Sequence, residues 1–237
     1  MSKKCPRRSH PEFRELMPSN LNLSERSVEI PPSGIIGDLT IPIHARGIVV
    51  FAHGSGSSRL SSRNRFVASV LQKTGLATLL LDLLTAREEE IDLGPRHLRF
   101  DTDLLANRLV EATKWLMDDA EIGRLPVGYF GASTGAAAAL IAAAQLPEQT
   151  RGVVSRGGRP DLAGAVLRRV KAPTLLIVGG DDHPVIELNK KALNELQYEK
   201  KLQIIPGATH LFEESGTLEQ VAGLAANWFD SYFARTS

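Results

Sequence analysis

A serine between two glycines is the first residue of this chain whose surroundings suggest chemistry. Ser133 is the centre of the pentapeptide GASTG, which follows an apolar run and precedes an alanine-rich stretch. That order predicts a strand, a sharp turn and a helix, which is the setting of a nucleophile elbow. The turn would aim the hydroxyl away from the sheet, and the helix would direct its N-terminal amides toward developing negative charge. Ser133 is therefore a candidate nucleophile.

A serine hydroxyl needs a base to accept its proton and an acid to orient that base. With this elbow motif the acid and then the histidine follow the serine along the chain. Of the six histidines, only His183 and His210 follow Ser133. His183 comes directly after Asp181 and Asp182 and would compete with an acid there for space, whereas His210 follows the last predicted strand. His210 is the predicted base, and both aspartates remain open as its acid.

The loop HGSGSS, after the first predicted parallel strand, supplies a second set of candidates. An oxyanion hole takes one amide from the residue after the serine, Thr134, and one from this loop. Ser55 is the predicted loop donor, through its N–H. Gly54 and Gly56 would let the backbone approach a substrate closely. These two glycines and His53 are predicted to be substrate-binding residues, with His53 mainly shaping the loop through hydrogen bonds.

The segment SRGGRPD places two arginines after another predicted strand. One interpretation is a tight turn with solvated arginines. The other is an anion clamp in which Arg156 and Arg159 bind an acidic substrate through bidentate hydrogen bonds. On that second interpretation, Arg156 joins the predicted substrate-binding residues.

The motifs that would hold a cofactor or a metal are not found. GSGSSR begins like a dinucleotide-binding fingerprint, but Arg59 stands where the third glycine must pack. The sequence has no G-x-x-x-x-G-K-[ST] phosphate loop, and the DDH at 181–183 lacks the second ligand cluster that a metal site needs. The single cysteine, Cys5, excludes an intramolecular disulfide. We predict a site with no cofactor and no metal.

The elements around these loops alternate between strand and helix. Residues 27–30 and 35–43 predict an antiparallel hairpin, and later apolar runs alternate with helical patterns, including a helix at 161–169. Strands that are apolar on both faces predict a parallel sheet covered on both sides. The predicted fold class is α/β, a three-layer sandwich with a mostly parallel, roughly eight-stranded sheet and no large cap domain. Residues 85–100 are predicted to form a surface loop.

Composition favours one soluble globular domain. Of 237 residues, 43% are hydrophobic and 23% are charged, and the net charge of +1 argues against a nucleic-acid partner. Residues 1–14 carry five basic side chains against one acidic side chain. We interpret 1–25 as a mobile basic leader and 26–237 as the domain.

The same composition bears on location and partners. No apolar stretch reaches 18 residues, and the N-terminal segment lacks the apolar core of a secretory signal. We therefore expect a cytoplasmic protein that binds no membrane and no nucleic acid and acts on a small-molecule, ester-type substrate. The oligomeric state, monomer or dimer, is left open.

The sequence resembles α/β-hydrolases of the dienelactone-hydrolase-like group over about residues 27–235. The segments that carry the resemblance are FAHGSGSS, GASTG, LLIVGGDDHPV and GATHLF. In that group the acid stands in G-x-D-x-x-V, so the resemblance selects Asp182. One departure concerns the nucleophile, because dienelactone hydrolases proper use cysteine where this chain has Ser133. The resemblance therefore does not carry their substrate over to this chain.

Residues and resemblance together predict a serine hydrolase that cleaves a carboxylic ester, thioester or lactone through an acyl-enzyme. Ser133, Asp182 and His210 would form its catalytic triad, with the amides of Ser55 and Thr134 as the oxyanion hole. Two alternatives stay open: a non-catalytic binding module on a hydrolase fold, and an acyltransferase. Because no cap domain is predicted, the site is expected to be open and to prefer small or accessible acyl groups.

Overall fold

The fold is described from a computed structural model, for residues 23–94 and 96–234. The basic segment 1–14 and Cys5 lie outside these residues. An eight-stranded sheet forms the centre, in the order β1-β2-β4-β3-β5-β6-β7-β8. Its strands are β1 Leu23–Ile30, β2 Ile35–Pro42, β3 Ile48–Ala52, β4 Ala77–Leu81, β5 Val127–Ala132, β6 Thr150–Arg156, β7 Thr174–Gly179 and β8 Lys200–Ile205.

Within the part of the chain that the structure describes, six α-helices connect and cover these strands. They are α1 Ser62–Lys73, α2 Ala86–Asp92, α3 Thr102–Met117, α4 Thr134–Gln145, α5 His183–Glu195 and α6 Thr217–Phe233. Short 3₁₀ segments occur at Leu98–Phe100 and Pro160–Arg169. Within the described ranges, none of the helices is both long and apolar enough to cross a membrane.

The strand pairing confirms the predicted fold class. β1 and β2 form an antiparallel hairpin, β2 pairs antiparallel with β4, and all other neighbours in the sheet are parallel. β1 begins at Leu23, earlier than the predicted strand at 27 and before the predicted domain boundary at 26. The ends of the six parallel strands bring the loops with candidate residues to one edge of the sheet.

The sheet separates two apolar layers because successive residues of a strand point to opposite faces. Tyr129 packs with side chains of α3 and α4, whereas its neighbour Phe130 packs with side chains of α1 and α6. The Tyr129 hydroxyl lies 2.6 Å from the hydroxyl of buried Thr113, so its polar end is satisfied. β5, which leads into Ser133, is thus held between helices on both sides.

The prediction that residues 85–100 form only a surface loop is wrong. They contain α2 and the 3₁₀ turn Leu98–Phe100. Thr85 starts α2 with a capping box, in which its side chain and that of Glu88 each bind the other's backbone N–H. Asp92 is buried and accepts hydrogen bonds from the Leu98 N–H at 2.7 Å and the Arg99 Nε at 2.5 Å. A polar anchor therefore folds this segment.

The predicted helix at 161–169 is present as a 3₁₀ segment and not as a regular α-helix. The backbone there forms 3₁₀ turns over Pro160–Arg169, interrupted at Gly164 with φ 54° and ψ −135°. That conformation is open to glycine and costly for other residues. The chain therefore crosses from β6 to β7 in two short turns, and this connection is too short to contain a cap domain.

Candidate active site

Ser133 occupies a strained turn between β5 and α4, with φ 50° and ψ −123°. A non-glycine residue rarely adopts this backbone conformation, and such strain often accompanies function. The flanking glycines make the turn possible. A Cβ at Gly131 would lie 2.5 Å from the Ala136 Cα, and one at Gly135 would lie 2.4 Å from the Ala52 carbonyl oxygen. The predicted elbow geometry is present.

The main chain of Ser133 is held from both sides by the segment after β6. Its N–H donates to the Arg156 carbonyl oxygen at 3.3 Å, and its carbonyl oxygen accepts from the Arg159 N–H at 3.0 Å. The Ala136 N–H donates to the same Ser133 carbonyl oxygen at 3.1 Å. These bonds fix the backbone of the turn without using the serine hydroxyl.

His210 and Asp182 form a hydrogen-bonded pair at the ends of neighbouring strands. The His210 Nδ1 lies 2.6 Å from the Asp182 Oδ2. Because a carboxylate accepts, Nδ1 carries the proton and Nε2 is left able to accept one. Asp182 immediately precedes α5, and its neighbours Asp181 and His183 are exposed. The structure thus pairs the predicted base with Asp182 and leaves Asp181 aside.

His210 packs against the strand end that adjoins Ser133. A Cβ at Gly157 would lie 3.0 Å from the His210 carbonyl oxygen and 3.6 Å from its Nδ1. Gly157 directly follows Arg156, the residue that accepts the Ser133 N–H. The Ser133 hydroxyl has no hydrogen bond to any described residue, and catalytic hydrogen bonds of this kind often tighten only in the complex with substrate.

The predicted oxyanion loop passes directly against the serine. A Cβ at Gly54 would lie 3.0 Å from the Ser133 Cβ. The Ser57 N–H donates to the Gly54 carbonyl oxygen at 3.1 Å, which closes a turn, and Gly56 at its third position has φ 76°. That positive φ is typical of a type II turn. Thr134 is the first residue of α4, so its N–H has no partner within the helix.

His53 shapes this loop through both of its ring nitrogens. The Leu83 N–H donates to Nε2 at 3.1 Å, so the proton is on Nδ1, which donates to the Gly54 carbonyl oxygen at 2.9 Å. The ring is buried, and burial lowers the pKa of His53 below its ordinary 6.5. This arrangement agrees with the predicted loop-shaping role, while a contact between His53 and substrate stays a prediction.

The lowered pKa of His53 predicts a specific loss of stability in acid. Below about pH 6.5 the unfolded chain binds a proton at residue 53 that the folded protein does not bind. The free energy of unfolding therefore decreases as the pH is lowered, until His53 in the folded protein is also protonated. His53→Gln should remove this contribution. We expect its Tm to fall less than that of the wild type between about pH 7.5 and about pH 5, measured by thermal unfolding. His183→Gln, at an exposed site, is the control, and identical pH profiles for wild type and His53→Gln would contradict the assignment.

The two arginines of SRGGRPD lie in different environments. Arg159 donates from Nε and Nη2 to the two carboxylate oxygens of Asp161, at 2.9 and 2.8 Å, so its fork already has an acidic partner. This disfavours the clamp interpretation for Arg159. Arg156 is only 7% exposed, and its Nη2 lies 3.4 Å from the Asn64 Oδ1. Its predicted contact with substrate remains a prediction.

A family model now decides the relationship. The model of the dienelactone hydrolase family matches residues 37–232, which include the elbow, the Asp182–His210 pair and the loop at 53–58. The chain belongs to the dienelactone hydrolase family. This confirms the resemblance stated from the sequence.

Solved structures of the dienelactone hydrolase family and of esterases agree with this fold. A crystal structure of dienelactone hydrolase from Anabaena variabilis is 62% identical and has a TM-score of 0.86, covering 89% of this chain and 98% of that chain. Est1E from Butyrivibrio proteoclasticus is 15% identical with a TM-score of 0.71, covering 88% of this chain and 99% of that chain, and it supports the fold alone.

A curated relative from Mycobacterium tuberculosis is named as a transferase and not as a hydrolase. It is 58% identical over 205 residues, and its name assigns it provisionally as a phosphoribosyl transferase. The match covers 86% of this chain but 45% of that relative. The matched part of this dienelactone hydrolase family member thus spans less than half the length of the curated protein.

Sequence reasoning missed the ion pairs that anchor the end of the predicted oxyanion loop. The Arg59 N–H donates to the Asp82 Oδ1 at 2.8 Å, and the Arg59 guanidinium also pairs with Asp82 and Asp38. From the sequence, the only conclusion drawn from Arg59 was that it replaces the third glycine of a dinucleotide-binding motif. The available signal was Asp82, an acidic residue directly after a buried strand.

A cleft of about 600 Å³ opens beside this loop. One side is formed by residues 56–61, and the other includes Leu84, Thr85 and Leu93 around the start and end of α2. Leu60 and Leu93 are exposed apolar side chains here. Across residues 23–94 and 96–234, no group of three His, Cys, Asp or Glu side chains is placed to hold a metal ion.

Proposed function

We propose that this protein is a serine hydrolase that cleaves a carboxylic ester, thioester or lactone. The observation that carries the proposal is Ser133 in a strained elbow with φ 50°, at the same sheet edge as the hydrogen-bonded Asp182–His210 pair. Membership of the dienelactone hydrolase family supports a hydrolase. The order of the three residues along the chain is also that of an elbow hydrolase.

In the proposed reaction the Ser133 oxygen attacks the substrate carbonyl while the His210 Nε2 takes the hydroxyl proton. Asp182 keeps the imidazole oriented and stabilises its protonated form. The N–H groups of Thr134 and Ser55 donate to the oxyanion. His210 then gives its proton to the leaving group as the carbonyl–heteroatom bond breaks, which leaves an acyl group on Ser133.

Water completes the cycle by the same steps. His210 takes a proton from water, the resulting hydroxide oxygen bonds to the acyl carbon, and the released Ser133 oxygen regains the proton. Gly54 and Gly56 let the loop backbone lie close to the reacting carbonyl, and His53 holds that loop in place. The cleft between this loop and α2 is the proposed site for one arm of a small-molecule ester.

Two other functions are weighed against hydrolysis. Acyl transfer uses the same acyl-enzyme and differs in the final acceptor, so it would appear as product formed with an added alcohol or amine in preference to water. Phosphoribosyl transfer, from the name of the Mycobacterium tuberculosis relative, is not proposed for this chain. The elbow geometry favours hydrolysis, and the chain corresponds to less than half of that relative.

A substrate panel tests the proposal and its expected preference. Because the cleft is open and no cap covers the elbow, we expect kcat/KM to fall at least about tenfold from a short-chain to a long-chain p-nitrophenyl ester. Thioesters and lactones with matched acyl groups would show which bond is preferred. Comparable rates on short and long chains would contradict the expected preference, and no turnover of any member would count against the hydrolase itself.

A further inference from the structure

Arg156 is a buried cation with no anionic partner among the residues that the structure describes. Its Nε and Nη1 are shielded from solvent and have no hydrogen-bond partner there, and its Nη2 has only the long contact to the neutral amide of Asn64. A charge that is removed from water is costly unless it is paired and hydrogen-bonded. This side chain therefore lacks the compensation that a buried guanidinium requires.

The Arg156 side chain lies on the α1 side of the sheet, away from α4. Val154, two residues earlier in β6, packs with side chains of α1 and α6, and strand residues two apart share a face. Asn64 is the third residue of α1, and its N–H donates to the capping Ser61 side chain at 3.3 Å. The Arg156 guanidinium thus lies beside the first turn of a 12-residue helix.

A second guanidinium lies close to the first. Arg63, also in the first turn of α1, has a shielded Nε with no partner in the described ranges. Its Nη1 pairs at 3.0 Å with Glu213, which is largely exposed. Burial, reinforced by the charge of Arg63, lowers the pKa of Arg156 to about 10, so the side chain stays protonated at neutral pH.

The first turn of α1 adds positive rather than negative potential. The first turn of α1 contains no acidic residue, and helix N-termini carry partial positive charge and free N–H groups. A cleft of about 400 Å³ opens beside Arg63, and its lining includes the carboxylates Glu213, Glu214 and Glu219. Arg156 does not line this cleft, so the buried guanidinium is set apart from these carboxylates.

We infer that a halide-sized inorganic anion binds between Arg156, Arg63 and the first turn of α1. The three shielded guanidinium nitrogens are its donors, and the helix N-terminus adds favourable potential. The site uses the first turn of α1, whereas the Thr134 amide of the proposed oxyanion hole belongs to α4, which packs on the other face of the sheet. It stabilises the end of β6, whose Arg156 carbonyl oxygen accepts the Ser133 N–H.

Thermal unfolding in a halide-free buffer tests this site, with gluconate keeping the ionic strength constant. Replacing gluconate by chloride or bromide should raise the wild-type Tm saturably, by about 5 °C at full occupancy. Arg156→Met should show no saturable rise. Without halide its Tm should equal or exceed that of the wild type, because the uncompensated charge is gone.

One control variant and two further measurements keep the outcome decisive. Arg168→Met removes an exposed arginine and should retain the full halide response. If Arg156→Met does not fold, Arg63→Gln should raise the apparent Kd for bromide at least about fivefold. Crystals grown in bromide should give an anomalous peak beside the Arg156 guanidinium.

Three results would overturn the inference. One is a wild-type Tm that does not respond saturably to halide, and another is an equal response in wild type and Arg156→Met. The third is protection by carboxylate-bearing esters but not by halide, which would assign Arg156 to the substrate site. None of these readouts depends on turnover, so they are separable from failure of the proposed hydrolase activity.

Discussion

Ser133→Ala is expected to lower kcat by about 10⁴–10⁶-fold on whichever ester the wild type turns over best. The alanine keeps the elbow backbone but removes the oxygen that bonds to the substrate carbonyl. His210 and Asp182 then have no nucleophile to activate, so losing one member costs nearly as much as losing all three. Steady-state kinetics on purified protein, with the folded state verified by thermal unfolding, would measure the effect.

A fluorophosphonate probe provides an independent readout of the same substitution. Wild-type protein should be labelled at Ser133, and Ser133→Ala should not be labelled. Ser231→Ala, which removes an exposed hydroxyl on α6, should be labelled like the wild type. Near-normal esterase activity in Ser133→Ala would remove the assignment. Folded wild-type protein that is neither labelled nor active would favour the binding-module alternative.

Gly135→Ala is expected to destabilise the fold by about 3 kcal/mol or more. Its Cβ would lie 2.4 Å from the carbonyl oxygens of both Ala52 and His53, and backbone atoms cannot rotate away as a flexible side chain can. Alanine is favoured over glycine inside a helix by about 1 kcal/mol, so the predicted clash outweighs the propensity gain. Chemical denaturation of both proteins would measure the difference in the free energy of unfolding.

Gly223→Ala is the matched control for this prediction. Gly223 lies within α6, and a Cβ there would meet no heavy atom within 4 Å. Propensity alone should then act, and we expect a gain of up to about 1 kcal/mol. If both substitutions gave the same small gain, close packing of α4 against the end of β3 would not be the reason for Gly135.

The parts of the fold that were predictable are those in which apolar pattern and turn chemistry agree. Apolar runs such as PVGYF at 126–130 predict buried parallel strands, and the GASTG pentapeptide then predicts the turn that the Ser133 dihedral angles show. The pairing of Asp182 with His210 was open from the residues alone, because Asp181 is equally polar and one position away. Family resemblance selected Asp182, and the 2.6 Å contact agrees with it.

The features that were missed depend on polar contacts between distant residues. α2 is anchored by buried Asp92, whose partners Leu98 and Arg99 follow a turn that hydrophobic periodicity does not detect. The interruption at Gly164 requires a left-handed backbone that a helical pattern does not signal. The burial of Arg156 was also outside the reach of sequence, since it depends on which face of β6 covers the first turn of α1.

The main-chain bonds that hold the elbow bear on which nucleophile this position can carry. The N–H of residue 133 donates to the Arg156 carbonyl oxygen, and its carbonyl oxygen accepts from the Arg159 N–H. The side chain of residue 133 takes no part in these bonds. These main-chain hydrogen bonds do not depend on whether the side chain of residue 133 carries an oxygen or a sulfur atom. Ser133→Cys is therefore expected to keep the backbone of the elbow, so that one substitution would change the nucleophile without a change in the surrounding main-chain bonds.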